Sequence, residues 1–224
     1  MFTVVIPTMW RAPGVFLQAL QNYIRSDFVS EIIIINNDRA RTPGWQDLKH
    51  PKVWMIVEDL NTYVNPAWNK GVGLAENDKI CIANDDIVFD TRLFAKMYDR
   101  CIPENGVHGI ITGEAHFNQP PTTDGSIDFV AWKPWDCIHC FGQLMFIHKS
   151  NWTPIIDGLN IYFGDDFIFH NHLYKGLTNY MIYNIHFFSP MAATSKDETI
   201  TGGIHDKEQP IWADYFFKHP VPGL

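Results

Sequence analysis

Four consecutive isoleucines, in Glu31-Ile32-Ile33-Ile34-Ile35, constrain the fold more than any other feature of this chain. β-Branched side chains favour extended backbone, and successive residues of a strand project to opposite faces. A strand apolar on both faces must be covered on both, which places it inside a parallel sheet flanked by helices. The neighbouring sequence repeats the theme. Thr3 to Ile6 reads as a strand closed by Pro7-Thr8, a helical pattern runs from Val15 to Ile24, and Val53 to Val57 and Lys79 to Ala83 read as further strands. Alternation of this kind predicts an α/β fold, and 224 residues with 46% hydrophobic content suffice for one domain around a sizeable core.

The helices carry their own punctuation. Asn65-Pro66 is expected to start one, with Asn as the cap, Pro in the first turn, and Trp68, Val72 and Leu74 on the apolar face. Asp90 is expected to cap the next, where Leu93, Phe94 and Met97 stand at helical spacing. Residues 114–136 are rich in Pro, Gly, Thr and Trp and read as an ordered loop or flap. Cys140 to His148 reads as a strand, Gly164-Asp165-Asp166 opens a helix that closes at Lys175-Gly176, and Tyr180 to His186 reads as a strand. A polar segment, Ser195 to His205, leads into an expected mobile C-terminal stretch.

Several classes of function are disfavoured at once. With 17 basic against 25 acidic residues the net charge is −8, which argues against a surface built to neutralise phosphates, so nucleic acid is a disfavoured partner. No run approaches the roughly 18 to 20 apolar residues of a membrane-spanning helix, and Met1-Phe2-Thr3-Val4 lacks the basic opening of a signal peptide. A cytoplasmic protein is expected, and Asn151-Trp152-Thr153 is read as a chance sequon. Four cysteines make no disulfide scaffold, and Cys137-Ile138-His139-Cys140 has no second ligand pair for zinc. Pro7-Thr8-Met9-Trp10-Arg11 contains no glycine, which excludes a P-loop or dinucleotide fingerprint after the first strand. No Gly-x-Ser-x-Gly elbow is present, and Cys81 sits inside an apolar strand.

Ligands in open α/β sheets gather at the carboxyl ends of strands, and three strands here end in polar signals: Pro7-Thr8, Asn36-Asn37-Asp38 and Asn84-Asp85-Asp86. Adjacent carboxylates repel unless a cation or hydrogen-bond donors offset them. A divalent cation completed by water and substrate phosphates suits such a pair, and a solvated turn capping the next helix is the plain alternative. His170 and His172, two residues apart on a helix, point to different faces and make no metal pair.

The order of these segments, with Asn69-Lys70-Gly71, Phe141-Gly142 to Lys149 and Gly164-Asp165-Asp166, resembles the GT-A glycosyltransferases, and family 2 among them, over roughly residues 2–176. The resemblance implies a GT-A-type, Rossmann-like mixed sheet, mainly parallel and flanked by helices, in a single domain of residues 1–224. Residues 1–113 would bind the nucleotide sugar, and 114–224 would carry acceptor and catalytic functions. Implied donor-binding positions are Pro7, Thr8, Asn37, Asp38, Asn69 and Asp85. Asn84-Asp85-Asp86 matches the DxD-type motif with Asn in its first place, and Asp86 is the implied ligand of Mn²⁺ or Mg²⁺. The acidic pair Asp165 and Asp166 matches the Glu-Asp motif, with Asp166 as general base and a shorter arm at Asp165. Helix capping is the competing role for that pair, and a helix N-terminus would lower its pKa. His205, beside Gly202-Gly203, matches a C-terminal histidine that completes the metal shell. Trp132, Trp135 and Phe141 are stacking candidates for a sugar or base, or rim packing.

The implied activity is inverting transfer of a sugar from a nucleoside-diphosphate donor, UDP-linked, to an acceptor hydroxyl on a glycan, lipid-linked sugar, protein or modified nucleobase. A noncatalytic nucleotide-sugar or glycan-binding module and a sugar nucleotidyltransferase are the alternatives.

Overall fold

The computed structural model describes residues 1–110, 126–132, 141–190 and 201–222. Its first half runs β1 (Phe2–Thr8), α1 (Pro13–Arg25), β2 (Val29–Asn36), β3 (Val53–Val57), α2 (Val64–Leu74), β4 (Lys79–Ala83), β5 (Val88–Phe89) and α3 (Arg92–Tyr98). The second runs β6 (Asn105–Gly109), β7 (Asp128–Ala131), β8 (Leu144–His148), α4 (Gly164–Tyr174), β9 (Thr178–Tyr183), β10 (Phe187–Phe188) and α5 (Ile204–Lys218). Eight strands form one sheet in the order β3-β2-β1-β4-β8-β6-β9-β7, and β5 pairs with β10. Neighbours from β3 to β4 are parallel, as are β6 and β9, while β8 runs antiparallel to β4 and β6 and β7 antiparallel to β9. This is the mixed, mainly parallel α/β sheet that the sequence implied.

The isoleucine run explains why the sheet is covered on both faces. Ile32 and Ile34 join Val4, Ile6, Phe16, Leu20 and Phe94 under α1 and α3, whereas Ile33 and Ile35 join Val5, Ala67, Trp68, Val72 and Phe167 under α2 and α4. All four isoleucines are fully buried. Each such side chain contributes about 1.5 to 3 kcal/mol relative to exposure, so β2 is the pivot of both cores. α2 lies close on β1, because a Cβ added at Gly71 would run into Val5 Cγ1. Gly71→Ala is accordingly expected to lower stability by about 1 to 3 kcal/mol, read from the urea midpoint; an unchanged midpoint would mean that α2 can retreat without loss.

Three expectations are corrected here. Asn65 does not cap α2: the cap position is Tyr63, at φ 64, and Asn65 is fully buried with Nδ2 donating to Tyr162 O at 3.1 Å. Leu74, expected on the apolar face, is 39% exposed. The expected mobile C-terminal stretch contains α5, which docks on α4 through the Tyr215 hydroxyl donating to Asn171 Oδ1 at 2.8 Å and the Phe167–Tyr215 ring contact at 4.7 Å. Residues 114–125, Trp135, Cys137 to Cys140 and the side chain of Phe141 lie outside the described residues, as do 191–200. Among the described residues no helix is long and apolar enough to cross a membrane.

Candidate active site at the carboxyl edge of the sheet

The carboxyl ends of β1, β2 and β4 meet at one edge and are tied together by side chains. Thr8 closes β1, and its hydroxyl donates to Asp85 Oδ2 at 2.5 Å while accepting the Trp10 N–H at 2.9 Å. At the end of β2, Asn36 Oδ1 accepts from Trp10 Nε1 at 2.8 Å and from the Asp38 N–H at 2.9 Å. Asn37 is buried, with its N–H on Thr8 O at 2.8 Å and its Oδ1 accepting the Thr62 hydroxyl at 2.9 Å. Asp38 pairs with Arg41 at 3.2 Å. Pro7 is buried within β1 opposite Ile35. Both polar atoms of Asn69 are engaged within the fold: Nδ2 donates to Ile155 O and Oδ1 accepts the Ile155 N–H, each at 2.8 Å. Asn69 thus staples α2 to the chain ahead of α4.

Asp85 and Asp86 follow β4. Asp86 is 5% exposed, and the Asp85 carboxyl is screened from water although part of the residue reaches the surface. Burial pushes Asp85 up to about 6 against the pull of the Thr8 hydrogen bond, and the Asp86 charge adds to the rise. A carboxylate pair in this condition favours a cation beside it.

The second acidic pair stands at the start of α4. Phe163 occupies the cap position in left-handed backbone, φ 59 and ψ 7, and provides no side-chain cap. Gly164 follows where a Cβ would run into Asn65 Oδ1, so α2 sets the entry of the chain into α4. Asp165 Oδ2 accepts the Gly142 N–H at 2.9 Å, a bond that reaches to another element. Asp166 is pushed up to about 7 by burial, and secondarily by the charge of Asp165. The sequence had suggested a lowered value, but desolvation and the like charge outweigh the helix terminus.

A three-residue 3-10 turn, Phe141–Gln143, links the two acidic pairs. The Asn84 N–H donates to Gln143 O at 2.9 Å, and the adjacent Gly142 N–H serves Asp165. Gly142 is also tightly enclosed, since a Cβ there would lie 3.0 Å from Trp68 and 3.3 Å from Asp165. The end of β4 and the start of α4 are therefore held in register through one short turn.

His205 lies in the first turn of α5, preceded by Gly203 at φ 69, with its ring 5.2 Å from those of both Tyr162 and Phe163. It belongs to the wall beside the acidic start of α4. Among the described residues no three His, Cys, Asp or Glu side chains gather into a group able to hold a metal, so His205 does not join Asp85 and Asp86 in a preformed cage. Trp132 is 9% exposed and belongs to the core packed under α4, with its ring edge-on to Phe169 at 5.8 Å. His172 is structural, with Nδ1 accepting the Val107 N–H at 2.9 Å. Asn151, in the sequon Asn151-Trp152-Thr153, spends its Nδ2 on Pro103 O and Asn105 O. Sequence reasoning named Asn36 only as part of a polar strand end, and it missed Trp10 and Glu208, whose partners lie 26 residues or more away along the chain.

No protein-family model and no curated protein sequence matches this chain. Solved structures do match. The crystal structure of S. aureus TarS 1-349 in complex with UDP aligns with a TM-score of 0.62 at 12% identity, covering 94% of this chain and 77% of that one. The crystal structure of GalNAc-T7 with UDP, GalNAc and Mn²⁺ aligns with a TM-score of 0.61 at 12% identity, covering 97% of this chain and 50% of that one. Another structure of S. aureus TarS 1-349 gives a TM-score of 0.58 at 13% identity, covering 99% and 81%. The chain spans half the length of the GalNAc-T7 chain it matches. At such identities the likeness is one of fold, and the fold is GT-A.

Proposed function

We propose that this protein is a metal-assisted, inverting glycosyltransferase that moves a sugar from a UDP-linked donor to an acceptor hydroxyl. The observation that carries the reading is the turn at 141–143, which joins a largely enclosed carboxylate pair at a strand end to a half-buried pair at a helix start. Inverting displacement needs two such groups: one region to stabilise a departing diphosphate and a separate carboxylate to take the acceptor proton. Support comes also from UDP in two of the matched structures, and from Mn²⁺ in one of them.

The donor would occupy the edge formed by Thr8, Asn37, Asp38 and Asp85, with Pro7 and Asn69 supporting it from within the fold. The pair at Asp85-Asp86 fits Mn²⁺ or Mg²⁺, because both ions take hard carboxylate oxygens and complete their shells with water and phosphate. Asp86 would be the direct ligand. A bound cation there would neutralise charge on the diphosphate. Asp166 acts as the base at its carboxylate, and Asp165, fixed by Gly142, raises the proton affinity of Asp166 through its charge. His205, on Tyr162 and Phe163, has no assigned step.

The direct test is release of UDP from a panel of nucleotide sugars, with and without Mn²⁺, followed by NMR of the anomeric product. UDP release that depends on metal, and an inverted anomer, are expected. Binding of UDP-sugar without any turnover across donors and acceptors would reject the enzyme in favour of a binding module.

A further inference from the structure

Helix α5 delivers one carboxylate into the interior. Glu208 is 1% exposed, and its oxygens accept from three consecutive backbone N–H groups. Oε1 takes Asn160 at 2.7 Å and Ile161 at 3.1 Å, and Oε2 takes Tyr162 at 2.8 Å. Successive amides turned toward one point form an anion-binding nest, and bonds to an ionised acceptor are stronger than neutral ones. Carbonyls of the same segment are taken from the opposite side by α2. The Asn65 N–H donates to Asn160 O at 3.0 Å, and Asn65 Nδ2 donates to Tyr162 O at 3.1 Å.

This clamped segment runs straight into the acidic pair. Phe163 is fixed in left-handed backbone at φ 59, and Gly164 has no room for a Cβ beside Asn65. Only then come Asp165 and Asp166. The placement of both carboxylates thus depends on what holds residues 160–162, and their N–H side is held by Glu208. The same stretch is packed by other groups of α5: Trp212 stacks on Phe163 at 6.3 Å, and a Cβ at Gly158 would meet Ile211 at 2.8 Å.

We propose that Glu208 is a positioning residue for transfer: by clamping the backbone at 160–162 it sets where Asp165 and Asp166 stand relative to the turn at 141–143. The proposal rests on the reading of Asp166 as the base. Glu208 itself touches no reacting group. A carboxylate is required because all its facing partners are donors, so a glutamine would present its NH₂ to one of them. Misplacement of a reacting group by about 1 Å can cost roughly 10²-fold in rate.

The test uses Glu208→Gln in the whole chain, with activity corrected for the folded fraction from urea melts. Turnover should fall by about 10-fold to 10²-fold. UDP affinity with Mn²⁺ should stay within about twofold, because the ends of β1, β2 and β4 are held mainly by their own ladder and by the Thr8–Asp85 bond. Amide hydrogen exchange should quicken at 160–162 and onward through 163–166. In an Asp166→Asn background, Glu208→Gln should cost no further turnover, since the group it positions is already lost. A loss that only follows the unfolded fraction, an equal loss of UDP affinity, or full additivity with Asp166→Asn would overturn the proposal. If Asp166→Asn alone transfers sugar normally, the base assignment fails instead. Unchanged exchange at 163–166 would then reject the positioning role independently of activity.

Discussion

Asp166→Asn should abolish most transfer and stabilise the protein at the same time. Proton removal by a placed side chain is worth about 10² to 10⁴ in rate, and asparagine keeps the shape without the basicity. The stability effect follows from linkage. Asp166 is raised from 3.8 in the unfolded chain to about 7 in the fold, so the native state holds a proton more tightly. Its contribution to stability is complete below about 3.8 and is lost as pH rises through about 7. Above pH 7 the fold therefore carries two adjacent, half-buried like charges, and removing one should gain on the order of 1 kcal/mol at pH 8. Transfer by the parent protein should run the opposite way, falling as pH drops through about 7 and the base form is lost. A urea melt at pH 8 paired with initial rates checks both halves. Lowered stability with proportionate loss of rate would point to helix capping, and full transfer would reject the base role. Asp165→Asn should cost less rate, because it acts through the Gly142 contact and its charge.

Legibility of the fold in the sequence depended on how locally each element was determined. β3 and β4 were read to the residue, and α4 nearly so, because strand runs and helix ends carry their own punctuation: acids in the first turn, and Gly176 at φ 75 after the last. β6 was invisible. Its sequence Asn-Gly-Val-His-Gly has poor strand propensity, and Gly106 is there because a Cβ would meet Thr178 O at 2.8 Å on the neighbouring strand. α5 was hidden by Pro210 in its interior, although its aromatic residues pack on α4. Asn65 was misread for a similar reason. Asn before Pro is a local cap signal, but its amide is used by Tyr162, 97 residues away. The acidic pairs themselves were plain in the sequence. What held them was not: the turn at 141–143 and Glu208 act through backbone groups, which no side-chain motif records.

Asp86→Ala should separate donor binding from folding. A diphosphate brought to the end of β4 meets Asp85 and Asp86 together, and without a cation both carboxylates oppose it. UDP affinity in Mn²⁺ should therefore fall about a hundredfold or more, some 2.8 kcal/mol, in Asp86→Ala, and by a similar factor in the parent protein on chelation. The fold should respond in the other direction. Asp86 is 5% exposed and its charge raises Asp85, so the metal-free variant should be at least as stable as the metal-free parent at neutral pH. Titration calorimetry with UDP, with and without Mn²⁺, and urea melts of both metal-free proteins measure these two effects separately. Equal UDP affinity with and without metal would reject Asp86 as the ligand. A marked loss of stability in the metal-free variant would instead make this carboxylate part of the scaffold, like the Thr8–Asp85 bond beside it.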